Sequence, residues 1–415
     1  MAKSLGSPFW VLVAWLVMGG MALCGALCYG DLAARYPEAG GGYVYLREAW
    51  GPRFAFLYGW KCLLVMDPGI TAALATGLAA YAAAVVPMGS TAQKILGIAS
   101  VLILAAANIR GLRLGDGVLK TLTILKLGAL ATLVLLGFVR GVGDWGHFLP
   151  FFEQRAGSTP FVPAFAGALM AAFFSFGGWW EAAKIGGEVR DPARTVPRAL
   201  VLGVVIVTLV YVLVSLSFIY LVPIEAVTSG ETFAAQAGSV LFGPAGGKVL
   251  AGIVVLSVLG SLAALVMVLP RVYYAMARDG AFFSAVGQLD PLFGTPARAI
   301  ALQAVVASIL IASGTFDQII GYFVFVTVAF TGLTVAGIFV LARRQSPGAA
   351  RYHIPGYPVT PLVFLSLTAV ILTLLMASRP REALVGVLVV AVGAAVYPLV
   401  RNSGRPGVVE EGGRR

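Results

Sequence analysis

Charge is what this 415-residue sequence has least of. Only 11% of its residues are Asp, Glu, Lys or Arg, against about 25% in an ordinary soluble domain. With 59% hydrophobic residues and a mean hydropathy of +0.92, a water-soluble fold of this length is excluded. Histidine is almost missing: His147 and His353 are the whole complement. The clustered His, Asp or Cys that an enzyme would set at one membrane face is therefore lacking, and the sequence points to no enzyme. Cysteine is scarce too. Cys24, Cys28 and Cys62 all fall in apolar stretches, with neither a disulfide framework nor metal-ligand spacing. Cys24 and Cys28 read as small packing residues one helical turn apart. No metal and no cofactor are expected.

One sign of charge is in excess, at +11. Nucleic-acid binding does not follow, because most basic residues lie in short loops between apolar segments, where membrane proteins use them for orientation. The expected environment is the lipid bilayer.

The apolar stretches are continuous rather than alternating, so the spans are helices and not barrel strands. Eleven of them run over 8–30, 54–86, 94–109, 117–139, 162–184, 198–221, 247–275, 298–315, 318–342, 361–377 and 383–400. The second is too long for one upright crossing and implies tilt or an extension. Residues 1–400 form a single transmembrane domain, and the Gly-, Pro- and charge-rich segment 401–415 reads as a disordered tail.

With alternate loops assigned to opposite sides, 20 Lys and Arg residues fall on one side and 7 on the other, Lys61 and Lys126 lying within spans. Lys184, Arg190 and Arg194 are in the richer set. The positive-inside rule places that side, and the C-terminus, in the cytoplasm of a multi-pass cell-membrane protein. The odd number of crossings then puts Met1 outside.

Several residues stand out within the spans. Gly177 and Gly178 adjoin in the middle of 162–184, each costing about 1 kcal/mol in a helix interior. Freed backbone groups are tolerated in hydrocarbon only against protein or a water-filled cavity. The pair is thus either a close helix-packing contact or a break that meets a polar ligand, with the Ser175 hydroxyl nearby. Carbonyls there suit an ammonium, and N–H groups suit a carboxylate. Lys126 sits well inside a span and is a functional candidate or a snorkelling lysine. Lys61 and Asp67 are six residues apart, off the i, i+4 spacing, and Asp67 precedes Pro68. Asp67 is a candidate for cation selectivity or proton carriage, or a helix-end pairing residue. Glu181 is a second proton-carrier candidate, or a helix-end charge facing the cytoplasm.

Four segments in order, GALCYGDLAARYPEAGGGYVYLREAWGP (25–52), FFSFGGWWEAAKIGGEVRDPARTVPRAL (173–200), RVYYAMARDG (271–280) and RYHIPGYPVTP (351–361), resemble the amino acid–polyamine–organocation superfamily, especially its L-type amino acid transporter-like branch. The likeness extends over nearly the whole chain, and the second segment is its most specific part. It implies a twelve-helix LeuT-like fold of two inverted five-helix repeats, each opening with a helix broken near mid-membrane. Residues 162–342 correspond to the second repeat, 1–139 to a first repeat without its broken helix, and 361–400 to two additional helices. On this alignment Met1 falls at the end of the family's first helix.

The resemblance also implies site residues. Phe174, Ser175, Phe176, Gly177 and Gly178 would line a substrate pocket, with Trp180 narrowing it. Val65, Met66 and Ile70 would lie near substrate, and Phe323 and Thr327 beside the pocket. Lys126 would stand where sodium-coupled relatives of this fold hold the ion, partnered by Ser261, so that transport needs no sodium. Asp67 and Glu181 complete the coupling or gating set. The segments 188–198 and 271–279 would form gate and helix-capping networks. The expected activity is amino acid transport by alternating access, with neutral amino acids first and cationic amino acids or polyamines second. Exchange, uniport and proton symport stay open, as does a non-transporting binding remnant. A small amino acid or amine, the bilayer and a proton are the partners considered, with no obligate protein partner.

Overall fold

In the computed structural model, residues 1–111, 116–227, 233–314, 316–344 and 354–403 are described. Among them there are helices and no strands. After a single turn, Ala2–Leu5, the chain forms α1 (Pro8–Arg35), α2 (Gly42–Trp50), α3 (Pro52–Val85), α4 (Ser90–Ile109), α5 (Asp116–Val139) and α6 (Phe161–Phe176). There follow a 3-10 segment, Trp179–Glu188, then α7 (Pro192–Leu221), α8 (Phe233–Phe242), α9 (Gly246–Val268) and α10 (Arg271–Arg278). The last four are α11 (Ala297–Ser313), α12 (Phe316–Arg344), α13 (Val359–Ser378) and α14 (Pro380–Ser403).

Nine segments among the described residues are long and apolar enough to cross a bilayer, and Thr123–Val139 and Ala297–Ser313 are shorter apolar helices. Together they match the eleven stretches seen in the sequence. Several ends differ by a few residues, α1 running on to Arg35 and α7 starting at Pro192, and α14 runs to Ser403, three residues into the segment assigned to the tail. Residues 404–415 lie outside the described residues.

The long second stretch has a structural cause. α3 is α-helical over Pro52–Lys61, widens into one π turn at Cys62–Met66, and resumes as Asp67–Val85. Pro68 has no N–H to donate and its ring crowds the carbonyl four residues back. The π turn accommodates that misfit and re-aims the residues around it.

α1 packs along α7, and α9 crosses α3. α12 touches α2, α3 and α13, so it runs through the centre of the bundle. An indole donor fastens it to α2, Trp50 Nε1 bonding the Leu333 carbonyl at 3.1 Å, and another joins α3 to α14, Trp60 Nε1 bonding the Val389 carbonyl at 3.0 Å. Outward faces carry apolar side chains such as Ile103, Ile124, Leu202 and Leu388, each more than half exposed, as lipid-facing positions should.

Candidate functional site

The helix beginning at Phe161 stops at Phe176. Gly177 is extended (φ −53, ψ 145), and Gly178 takes φ +103, a conformation open to glycine at little cost. Beyond it the chain resumes as the 3-10 segment. The stretch 162–184, taken from the sequence as one apolar run, is therefore two helices meeting at the glycine pair, and the packing-contact reading of Gly177–Gly178 is set aside. Among the described residues nothing lies within 4 Å of a Cβ placed on Gly178, so the residue serves the turn and not a close contact.

The break faces a narrow cleft. Its walls are Met66 and Ile70 of α3, Phe173, Phe174, Gly177, Trp180 and Glu181 of the broken helix, and Val324 of α12. Of the residues expected at the pocket, Met66, Ile70, Phe174, Gly177 and Trp180 lie on these walls. Phe176 borders a neighbouring apolar cavity, which shares Trp180 and is closed by Met18, Met21 and Phe364. Val65 is buried in the core behind. Thr327 is buried one turn beyond Val324, and its hydroxyl has no hydrogen-bond partner among the described residues. The side chain of Phe323 lies outside the described residues.

Ser175 is a correction. Its hydroxyl donates to the Ala171 carbonyl at 2.9 Å, within its own helix, and the residue is exposed away from the cleft. The helix period turns it outward. Its carbonyl oxygen accepts from the Tyr211 hydroxyl at 2.6 Å.

Beside the cleft lies a buried charge network that local sequence spacing did not reveal. Lys184 Nζ is 2.5 Å from Glu181 Oε2 and 3.1 Å from Asp67 Oδ1. Tyr273 of α10 donates its hydroxyl to Asp67 Oδ2 at 2.8 Å. Lys184 and Asp67 are fully buried, and Glu181 is 5% exposed. Lys184, counted in the sequence as a loop lysine on the cytoplasmic side, is thus an interior residue. Glu181 is not a helix-end charge facing solvent, and the Asp67 carboxylate is answered by a cation from a different span. Lys61 is also buried: its Nζ rests 2.7 Å from Met66 Sδ and 4.4 Å from the centre of the Tyr58 ring.

Lys126 of α5 donates to Ser261 Oγ of α9 at 3.3 Å, and Ser261 donates to the Ser257 carbonyl. This is the contact that the family resemblance implied.

The two charged segments take part in two separate ion-pair clusters. Arg271 pairs with Glu188 at 3.1 Å, joining α10 to the foot of the broken helix. Arg47 of α2 reaches Asp279 at 2.7 Å, Glu38 at 2.9 Å and Glu48 at 2.9 Å. Tyr43 donates to the same Asp279 carboxylate at 3.0 Å. Burial, with Asp279 alongside, holds the Tyr43 phenol well above its usual range, so it stays a donor.

These features define an integral membrane protein built around a discontinuous helix, with a cleft at the break and ion pairs joining the broken helix to its neighbours. The chain belongs to the amino acid permease family, whose model matches residues 1–396. It is 29% identical over 395 residues to the serine/threonine exchanger SteT of Bacillus subtilis (strain 168), covering 94% of this chain and 89% of that one. It is 30% identical over 340 residues to the b(0,+)-type amino acid transporter 1 of Oryctolagus cuniculus, covering 80% and 68%. The large neutral amino acids transporter small subunit 2 of Homo sapiens is 28% identical over 408 residues, covering 95% and 74%.

Proposed function

We propose that this permease carries neutral amino acids across the cell membrane by alternating access, without sodium. The observation that carries the reading is the break at Gly177–Gly178. It frees backbone groups at a buried cleft, where they suit the carboxylate and ammonium of a zwitterion. Neutrality of the substrate is supported by the cleft's charge: Glu181, the carboxylate on its wall, is already paired with Lys184. The indole of Trp180 narrows the space and favours small or medium side chains. A relative named for serine and threonine agrees with that preference.

Sodium independence is supported by Lys126. Its ammonium at Ser261 supplies a fixed positive charge between α5 and α9, where the family resemblance sets the ion of sodium-coupled relatives. Residues 162–342 act as one five-helix repeat headed by the broken helix, and 1–139 contribute helices of the other, with 361–400 outside both. The basic side of the molecule, and with it the C-terminus, faces the cytoplasm. One relative bears the word subunit in its name. A partner of this chain would bind without a disulfide at a loop, because Cys24, Cys28 and Cys62 all lie in helical spans and the last two are buried.

Counterflow into proteoliposomes tests the reading. Protein loaded with unlabelled serine or alanine should accumulate the labelled amino acid saturably, at equal rates in sodium and potassium. The absence of saturable flux for every neutral amino acid in a panel would refute it.

A further inference from the structure

Two carboxylates from different elements converge on the Lys184 ammonium, and a tyrosine hydroxyl holds the far oxygen of one of them. Carboxylates this close in a buried site repel unless a cation lies between them. Two carboxylates, a hydroxyl and an aromatic surround make up a receptor for an alkylammonium, and here the chain's own side chain fills it. The receptor abuts the cleft, because Glu181 belongs to both.

Formal charge shows what Lys184 does. Asp67 and Glu181 are balanced by Lys184 and Lys61. Lys61 cannot take over, since its Nζ is held at Met66 Sδ and the Tyr58 ring, with no carboxylate within 4.0 Å among the described residues. Without Lys184 the cleft wall would carry an unanswered negative charge.

We infer that Lys184 is a built-in surrogate for a cationic substrate side chain, and that it sets the cleft's preference for neutral over cationic amino acids. This rests on the proposal that the cleft takes amino acids. In the Lys184→Gln variant, the terminal ammonium of lysine or ornithine takes the place of the lost Nζ.

The test is competition against counterflow of a labelled neutral amino acid in proteoliposomes. Lysine and ornithine are compared with norleucine and citrulline, which match them in length and lack the side-chain charge. In Lys184→Gln, lysine and ornithine should gain roughly 10-fold or more over norleucine and citrulline relative to the unaltered chain. Adding Glu181→Gln should cancel the gain. An equal gain for norleucine would mean that only space was made and would overturn the inference, as would no gain at all. Should Lys184→Gln fail to fold, Glu181→Gln alone reports in the other direction: the lysine-to-norleucine ratio should fall, and an unchanged ratio overturns the inference. Loss of all neutral counterflow by the unaltered chain would instead mark failure of the transport reading.

Discussion

Removing the Asp67 carboxylate probes the buried network directly. Asp67 is wholly enclosed and accepts from Lys184 at 3.1 Å and Tyr273 at 2.8 Å. Breaking a buried ion pair from one side costs about 3–5 kcal/mol, because the other charge is left uncompensated. In Asp67→Asn the lysine keeps Glu181 at 2.5 Å, which reduces the loss to about 2–3 kcal/mol. Lys184→Met leaves two carboxylates without their cation and should lose the full ~3–5 kcal/mol. The double variant abandons both charges of the pair together. It should be destabilised by about 2 kcal/mol less than the two single losses combined, as expected for groups in contact. The assay is reversible unfolding in mixed micelles for the four forms of the cycle. Additivity within about 0.5 kcal/mol would show that the two groups do not interact and would refute the network.

Three further expectations follow from packing and charge. On α9, a Cβ at Gly246 would run into the Gly238 carbonyl oxygen, whereas one at Gly252 meets nothing within 4 Å among the described residues. Gly246→Ala should therefore lose about 1–3 kcal/mol, and Gly252→Ala should gain up to about 1 kcal/mol, in the same unfolding assay. Arg47→Ala removes three carboxylate contacts at a partly exposed site, so the stability loss should be only about 1 kcal/mol. Hydrogen exchange over 271–288 should nevertheless rise as Asp279 keeps only the Tyr43 hydroxyl of its two ties to α2; unchanged exchange would exclude Arg47 as a latch. Lys126→Met removes the charge at Ser261 and should lower transport by about 10-fold or more, since an intramembrane lysine kept without function is unfavourable; wild-type flux would assign Lys126 to packing.

The spans were legible because they are local, whereas the glycine pair alone left a packing contact and a break both open and only the family resemblance favoured the break. Hydrophobic length marks a crossing, while two adjacent glycines fit a close helix contact as well as a departure from helix. Lys126 and Ser261 were also reachable, through the family resemblance rather than through spacing. Lys184 was not. Its partner Asp67 lies 117 residues earlier in the chain, and a lysine after a glycine-broken helix resembles any loop lysine. The one sequence signal was the spacing of Glu181 and Lys184, which places them a single turn apart. Ser175 shows the converse error: a polar residue next to a break is not aimed into it unless the helix period brings it round. The π turn at Cys62–Met66 was hidden because its residues, CLLVM, are ordinary helix formers in a span. Only the run into Asp67–Pro68 hinted at a misfit.

The central claim is that substrate binds at the break in the helix, and Gly177→Leu tests it most directly. A Cβ at Gly177 lies 3.0 Å from the Phe174 carbonyl oxygen and 3.7 Å from the tip of the Trp180 ring. A leucine there presses on the Phe174 carbonyl, which already accepts from the Gly177 N–H, and fills the cleft. Counterflow of a neutral amino acid should be abolished in this variant while it still elutes as a folded protein from size-exclusion chromatography. Saturable counterflow at the rate of the unaltered chain would contradict the account.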